Sequence, residues 1–248
     1  AYDIGLGIPA EPLFRSQFAE DAGPLAHPVR PSSYMEISNF YTTTIYEKGA
    51  EVVRMYHTLL GEDAFRQGTD LYFDRHDGTA ATTDDFADAM AQAGQIDLAQ
   101  FKRWYEQPGT PKVQVAESYA DGRLTLNITQ APADLPNAQQ QQPFHMPLAM
   151  GFLAPDGASL ALSVTDIESA ATTSLRDDGQ TLLLGAKEST TELTISNLHA
   201  KPVVSFLRGF SAPVKVSHQR DAEELAFLVQ HDTDGFVRWD AMQTLWMS

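Results

Sequence analysis

The chain has 248 residues, no cysteine and a formal net charge of −16, from 33 acidic and 17 basic side chains. Its length suits one large domain or two smaller ones, and the lack of cysteine excludes disulfide bonds and cysteine-ligated zinc. The acidic excess disfavours binding to nucleic acid or to an anionic membrane, and without a run of about 18 apolar residues we expect no membrane-spanning helix.

The first half of the chain is predicted to be irregular and then helical. Residues 1–34 contain five prolines and read as a surface segment with little regular structure. From residue 46 the apolar side chains recur with the period of a helix, and Gly61 and Gly78 are typical stop signals. Four helices are predicted, through Glu51–Leu60, Phe65–Phe73, Phe86–Met90 and Leu98–Tyr105.

From residue 110 the period of the apolar residues changes to two. Several short strands with turns between them, such as Asp121-Gly122, predict a β-sandwich over Val113–Val216. We expect this sandwich to pack against the last predicted helix through Trp104. Residues 221–248 are helical again and end in an apolar stretch without a stop signal, so we expect the natural protein to continue past Ser248.

The residue pattern contains no self-contained catalytic or metal site. No two of the seven histidines stand three to five residues apart, as a helical pair of metal ligands requires. The motifs of a serine or cysteine nucleophile and of a phosphate-binding loop are absent. The acidic clusters Glu20-Asp21 and Asp84-Asp85 lack the spacing of a calcium loop.

The segment Asn39–Ala50 places two tyrosines and a Glu-Lys pair directly before a helix. A phenol has a reference pKa near about 10, so it stays protonated at neutral pH and can donate to a developing oxyanion. The alternative for Tyr46 is a core tyrosine whose hydroxyl has a backbone partner. The residue pattern alone favours the core tyrosine.

Several long strings, in order along the chain, resemble the aminopeptidase N family of gluzincin metallopeptidases, in its bacterial cytosolic branch. The resemblance runs from about Phe14 to the C-terminus, whereas residues 1–13 do not fit and are expected to be divergent or foreign. The strings are Gln17–Pro24, Ala26–Pro31, Phe40–Val52, Tyr72–Gly78, Phe101–Tyr105 with Gly109–Pro111, and Phe236–Ala241.

The resemblance implies an α+β multidomain fragment. Residues 1–108 would be the C-terminal helical part of a thermolysin-like catalytic domain, residues 109–217 an antiparallel β-sandwich domain, and residues 218–248 the start of a truncated α-helical domain. The implied protein is cytoplasmic. Its partners would be a peptide substrate and the missing N-terminal and C-terminal domains of the same protein, with no nucleic acid and no membrane.

The resemblance also implies roles for four residues. Tyr46 matches the catalytic tyrosine that stabilises the oxyanion in a zinc aminopeptidase, and Tyr41 matches an aromatic wall of the pocket for the first substrate side chain. Ser38, where the family usually has Asn, and Glu47 are further expected pocket residues.

The chain lacks the His-Glu-x-x-His and Gly-x-Met-Glu-Asn motifs of the family. We therefore expect zinc in the full-length parent, no metal in this fragment and no activity of the fragment alone. The alternative is a non-catalytic scaffold or interaction module in which the β-sandwich is a spacer.

Overall fold

The computed structural model describes residues 16–33, 35–135 and 138–247. These ranges contain seven α-helices and nine β-strands, with helices near both ends and the strands between them. This order agrees with the predicted changes of period. The expectation that residues 1–13 are divergent or foreign lies outside the described residues.

The N-terminal helical part confirms three of the four predicted helices. Its helices are α1 (Phe18–Asp21), α2 (Gly49–Leu60), α3 (Glu62–His76), α4 (Thr83–Gly94) and α5 (Arg103–Glu106). Gly61 ends α2 with a φ of 80°, a conformation that favours glycine. Thr82 caps α4, because its hydroxyl accepts from the Asp85 backbone N–H at 3.3 Å.

The fourth predicted helix is shorter than the pattern indicates. It consists of a 3₁₀ turn at Gln100–Lys102 followed by the single α-turn of α5. Gln107 leaves the helix with a ψ of 124°, since it precedes Pro108 and the proline ring disfavours the helical conformation there.

Only one of the two adjacent valines of α2 lies on its buried face. Val52 and Tyr56 are fully buried, as is Met55, whereas Val53 is 40% exposed. Successive helical residues are about 100° apart around the axis, so Val52 and Val53 do not point into the same core.

The β-region forms two packed sheets, as predicted, with strand orders β4-β7-β2-β1-β9 and β5-β6-β3-β8. The strands are β1 (Lys112–Ala120), β2 (Arg123–Ala131), β3 (Met146–Leu153), β4 (Ile167–Glu168), β5 (Thr172–Arg176), β6 (Thr181–Ala186), β7 (Thr190–Ile195), β8 (Val203–Phe206) and β9 (Lys215–His218).

The strand pairings are antiparallel except that of β1 with β9, which is parallel and begins at Lys112 opposite Lys215. The predicted turn between β1 and β2 is present at Asp121-Gly122, where both residues have positive φ and make the tight hairpin that such residues favour. Strands β4 and β5 were not predicted. β4 has two residues, and β5 contains a single strongly apolar side chain, Leu175, so neither shows an alternating pattern.

Trp104 joins the helical part to the sandwich, as predicted. The indole is fully buried, and its Nε1–H donates to the backbone oxygen of His145 at 2.9 Å. Its ring lies 4.4 Å from that of Phe144. The link therefore combines apolar packing with one directional hydrogen bond.

We expect Trp104→Phe to lower the free energy of unfolding by about 2 kcal/mol, because the smaller ring leaves the buried His145 carbonyl without its donor. Chemical denaturation of the purified protein measures this change. Trp246→Phe is the matched control, since Trp246 is 84% exposed. Equal effects of the two substitutions would contradict the role given to Trp104.

The C-terminal helices are α6 (Ala222–His231) and α7 (Gly235–Met247). Asp221 caps α6 by accepting from the Glu224 N–H at 2.8 Å. Among the described residues, no helix has both the length and the apolar character needed to cross a bilayer.

One loop, Leu207–Phe210, connects the helical part, the sandwich and the C-terminal helices. From α2, the Arg54 guanidinium donates to the backbone oxygen of Gly209 at 2.7 Å and also to that of Phe210. The Gly209 N–H donates to Asp234 at 2.9 Å, and the buried Arg208 lies 3.4 Å from Asp232. The three parts of the chain thus meet at a single turn.

Candidate active site

The four site residues predicted from the sequence lie in one segment that contains two short non-α helices. Ile37–Phe40 is a 3₁₀ helix, and Thr44–Lys48 is a π-helix that runs directly into α2. The Gly49 N–H donates a hydrogen bond to the carbonyl of Thr44, five residues earlier. Single π-turns of this kind occur frequently at functional sites.

Tyr41 and Tyr46 are brought together on the surface. Their rings stack with centroids 6.3 Å apart and planes inclined by 26°. Tyr46 is 57% exposed and Tyr41 is 70% exposed, so Tyr46 is not a core tyrosine of this chain. Its backbone is nevertheless fixed, because the Tyr46 N–H donates to the Thr42 carbonyl at 3.2 Å.

Ser38 lies close to Tyr41 in the chain fold, and its carbonyl accepts from the Tyr41 N–H at 3.2 Å. The exposed Ser38 hydroxyl faces Glu36 at 3.4 Å. Glu47 follows Tyr46 in the π-helix and is half-buried. Burial raises the pKa of the neighbouring Glu51, the Arg54 guanidinium opposes this shift, and the Glu47 charge adds to it.

Two adjacent acidic residues of α1 bind the buried side of the π-helix. Glu20 Oε1 accepts from the Thr44 N–H at 2.9 Å and from the Thr44 hydroxyl at 2.5 Å. Asp21 forms an ion pair of 2.9 Å with Lys48. Thr44 and Lys48 are both almost fully buried, so their side chains point inward while Tyr46, between them, points outward.

The Asp21–Lys48 ion pair is also tied to the first residues after the helical part. Lys48 Nζ donates to the Gly109 carbonyl at 2.9 Å, while Asp21 accepts from the Gly109 N–H at 2.9 Å and from the Thr110 hydroxyl at 3.0 Å. Every oxygen of this buried carboxylate therefore has a donor, as a buried charge requires.

Burial and charge act in opposite directions on this pair. Burial alone would raise the pKa of Asp21, but the Lys48 ammonium and the hydrogen bonds from Lys48, Gln17 and Thr110 lower it below its ordinary value. Burial lowers the pKa of Lys48, and the Asp21 carboxylate opposes this shift. The pair is stable as an ion pair only while both partners are present.

A second anchor holds the chain that leads into the tyrosine segment. The Arg30 guanidinium donates to Asp84 at 2.6 Å, to Thr83 at 2.8 Å and to Glu106 at 3.1 Å. The Arg30 N–H donates to the Tyr105 carbonyl at 2.9 Å. The proline-rich segment is therefore fixed to the first turn of α4 and to α5.

The described residues do not form a metal site. Within residues 16–33, 35–135 and 138–247, no group of three or more His, Asp or Glu side chains is arranged to hold a metal ion. A cavity of about 620 Å³ lies beside β4–β7, and another of about 340 Å³ lies between β9 and α7. Neither is lined by Tyr41 or Tyr46, which lie on an open face.

In the sequence, Glu20-Asp21 is an acidic cluster and Lys48 is half of a Glu-Lys pair, but no sequence pattern connects the two. Lysine is rarely fully buried, and Asp21 lies 27 residues away in the sequence. The available signal was the position of Lys48 on the apolar side of a helix start.

Known protein families match the chain in three consecutive parts. The family described as Peptidase family M1 domain matches residues 11–105. A domain of unknown function (DUF3458) with an Ig-like fold matches residues 109–219, and its C-terminal partner, described as ARM repeats, matches residues 222–248.

Curated relatives carry the name aminopeptidase N. The proteins from Caulobacter vibrioides, Escherichia coli and Haemophilus influenzae are 47%, 43% and 39% identical to this chain, each over 92% of it. In each case the match covers 25% of the relative. The chain therefore spans about a quarter of the length of the curated relatives it matches.

A solved structure has the same fold. The crystal structure of Legionella pneumophila aminopeptidase A in complex with aspartic acid superposes with a TM-score of 0.74 and 25% sequence identity, over 97% of this chain and 26% of that chain. The three family matches in consecutive order, the curated relatives and this likeness lead to one conclusion: residues 11–105 match the M1 peptidase family, and the chain as a whole is similar to one segment of aminopeptidase N.

Proposed function

We propose that this chain is one segment of a zinc-dependent aminopeptidase that removes N-terminal residues from peptides. The match of residues 11–105 to the Peptidase family M1 domain supports this function, as do the names of the relatives. The structural observation that carries it is the exposed Tyr46 phenol, presented on a π-turn beside a second exposed tyrosine.

In this proposal Tyr46 donates a hydrogen bond to the oxygen of the scissile carbonyl. When a nucleophile adds to the carbonyl carbon, negative charge collects on that oxygen, and a donor already in position stabilises it without reorganisation. A tyrosine suits this role because the phenol stays neutral and protonated near pH 7. The fixed backbone of the π-turn limits the freedom of the donor.

Tyr41, Ser38 and Glu47 complete the proposed substrate pocket. The Tyr41 ring, stacked on Tyr46, would form an apolar wall for the first side chain of the peptide. Ser38 and Glu47 would supply polar groups at the two ends of the tyrosine pair. In the complete enzyme we expect this open face to be covered by the missing part of the catalytic domain.

We further propose a division into the C-terminal helical part of the catalytic domain (1–108), a β-sandwich domain (109–217) and the start of the α-helical domain (218–248). The period change at residue 110 supports the first boundary. The partners would be peptide substrates and the other domains of the same protein, with no nucleic acid or membrane. The resemblance to the bacterial branch of the family supports a cytoplasmic location.

The scaffold hypothesis is the less favoured of the two. A spacer module needs neither exposed aromatic residues on a rigid turn nor a match to the peptidase domain. We propose that this segment is inactive alone because it supplies the donor and part of the pocket without the zinc ligands.

Metal removal tests the proposed function. A chelator is expected to abolish hydrolysis of an aminoacyl substrate by the complete enzyme, and one equivalent of zinc is expected to restore it. The 248-residue chain is expected to hold no stoichiometric zinc after mild dialysis, measured by metal analysis. Full activity of the complete enzyme after chelation would contradict zinc dependence.

A further inference from the structure

The acidic pair Glu20-Asp21 has no role in the proposed chemistry, yet it touches both ends of the turn that carries Tyr46. Glu20 holds Thr44, two residues before Tyr46, by its backbone N–H and its hydroxyl. Asp21 holds Lys48, two residues after Tyr46. The two carboxylates are neighbours in α1.

We propose that Glu20 and Asp21 are positioning residues that hold the Thr44–Lys48 turn at both ends and so fix the direction of the Tyr46 hydroxyl. This inference rests on the proposed function of Tyr46. Because Thr44 and Lys48 point inward into these two carboxylates, a turn that shifts at either end must move the tyrosine between them. The acidic pair is thus a support for the oxyanion donor and has no contact with substrate.

Glu20 is the better of the two for a test. Its side chain is 25% exposed, whereas that of Asp21 is fully buried in an ion pair that the fold itself needs. Removing the Glu20 carboxylate frees the N-terminal end of the turn, while Asp21, Lys48 and Gly109 remain joined. His27 Nε2 also lies 3.7 Å from the same Glu20 oxygen, so removing the carboxylate changes this contact as well. Zinc content and thermal stability are therefore measured for each variant, to separate a loss of structure from a loss of turnover.

In the complete enzyme, we expect Glu20→Ala to lower kcat about tenfold and to leave KM within about twofold, because a misplaced donor weakens only the transition state. Glu20→Gln is expected to restore most of the turnover, since the amide oxygen can accept from both Thr44 donors. Combining Glu20→Ala with Tyr46→Phe is expected to cause no further loss of kcat, since both changes remove the same interaction.

The chain offers a matched control in α4. Asp85 Oδ2 accepts from the Thr82 N–H and the Thr82 hydroxyl, both at 2.8 Å, which is the chemistry of the Glu20–Thr44 contact on a helix without Tyr46. Asp85→Ala is expected to leave kcat unchanged. Thr44→Val, which loses only the hydroxyl, is expected to lower kcat about threefold. If Glu20→Ala fails to fold, Thr44→Val is the variant that tests the positioning role of Glu20.

Unchanged turnover in Glu20→Ala, or in Thr44→Val where Glu20→Ala does not fold, would overturn the positioning role. So would an additive loss in the Tyr46→Phe background, or an equal loss in Asp85→Ala. If Tyr46→Phe itself kept full turnover, the proposed function of Tyr46 would fail instead. The two failures are therefore distinguishable.

Discussion

Tyr46→Phe in the complete enzyme is expected to lower kcat by about 10²–10³-fold, equivalent to roughly 3–4 kcal/mol of transition-state stabilisation. In the proposed mechanism the hydroxyl bonds to charge that exists only near the transition state, so KM is expected to change little. The ring itself is retained, and with it the stacking on Tyr41. Steady-state kinetics on an aminoacyl substrate measure both constants.

The control for this substitution is Tyr119→Phe in the sandwich, where the hydroxyl lies 3.4 Å from the Leu198 carbonyl. That change is expected to leave kcat at the wild-type value. Zinc content and thermal stability of Tyr46→Phe are expected to match the parent, because the hydroxyl is not part of the core. A stable Tyr46→Phe enzyme with full turnover would refute the catalytic assignment.

Much of the fold follows from local signals in the sequence. The helix ending at Gly61 and the hairpin at Asp121-Gly122 are each determined by a few adjacent residues, and the structure confirms both. The edge strands β4 and β5 escaped prediction, because short strands with few apolar side chains depend on pairing with β7 and β6 rather than on their own pattern.

The residues of the candidate site that could be predicted from the sequence are those that lie within one continuous segment. Tyr41 and Tyr46 are five residues apart, and a recognisable string of residues carries both. Their support is non-local: Glu20 lies 24 residues from Thr44, and Arg54 reaches a loop more than 150 residues away. Composition and period carry no information on such pairings. The burial of Lys48 could be deduced only once the fold had brought Asp21 and Gly109 to it.

Asp21→Asn is expected to lower the free energy of unfolding by about 3–5 kcal/mol, because it leaves the buried Lys48 ammonium without its counterion. Chemical denaturation at pH 7 measures this loss. The double variant Asp21→Asn/Lys48→Met is expected to recover much of it, since replacing both members of a buried ion pair with uncharged groups is often neutral. A single variant as stable as the parent would contradict the structural role of the pair.

The pH dependence of the free energy of unfolding distinguishes an effect of the Asp21–Lys48 charges from a simple packing effect. The folded-state pKa of Asp21 lies below its ordinary value, so the stabilisation that Asp21 contributes is complete above pH about 4 and is lost as the pH falls through the folded-state pKa.

In Asp21→Asn the remaining charge is that of Lys48. Burial already lowers the pKa of Lys48 in the parent. The variant is therefore expected to gain stability relative to the parent as the pH rises toward about 10, because the folded state then releases the proton from Lys48 before the unfolded chain does. Denaturation curves from pH 6 to about 10 test this difference, and parallel pH profiles for the parent and the variant would show that the Lys48 charge is not the cause of the instability.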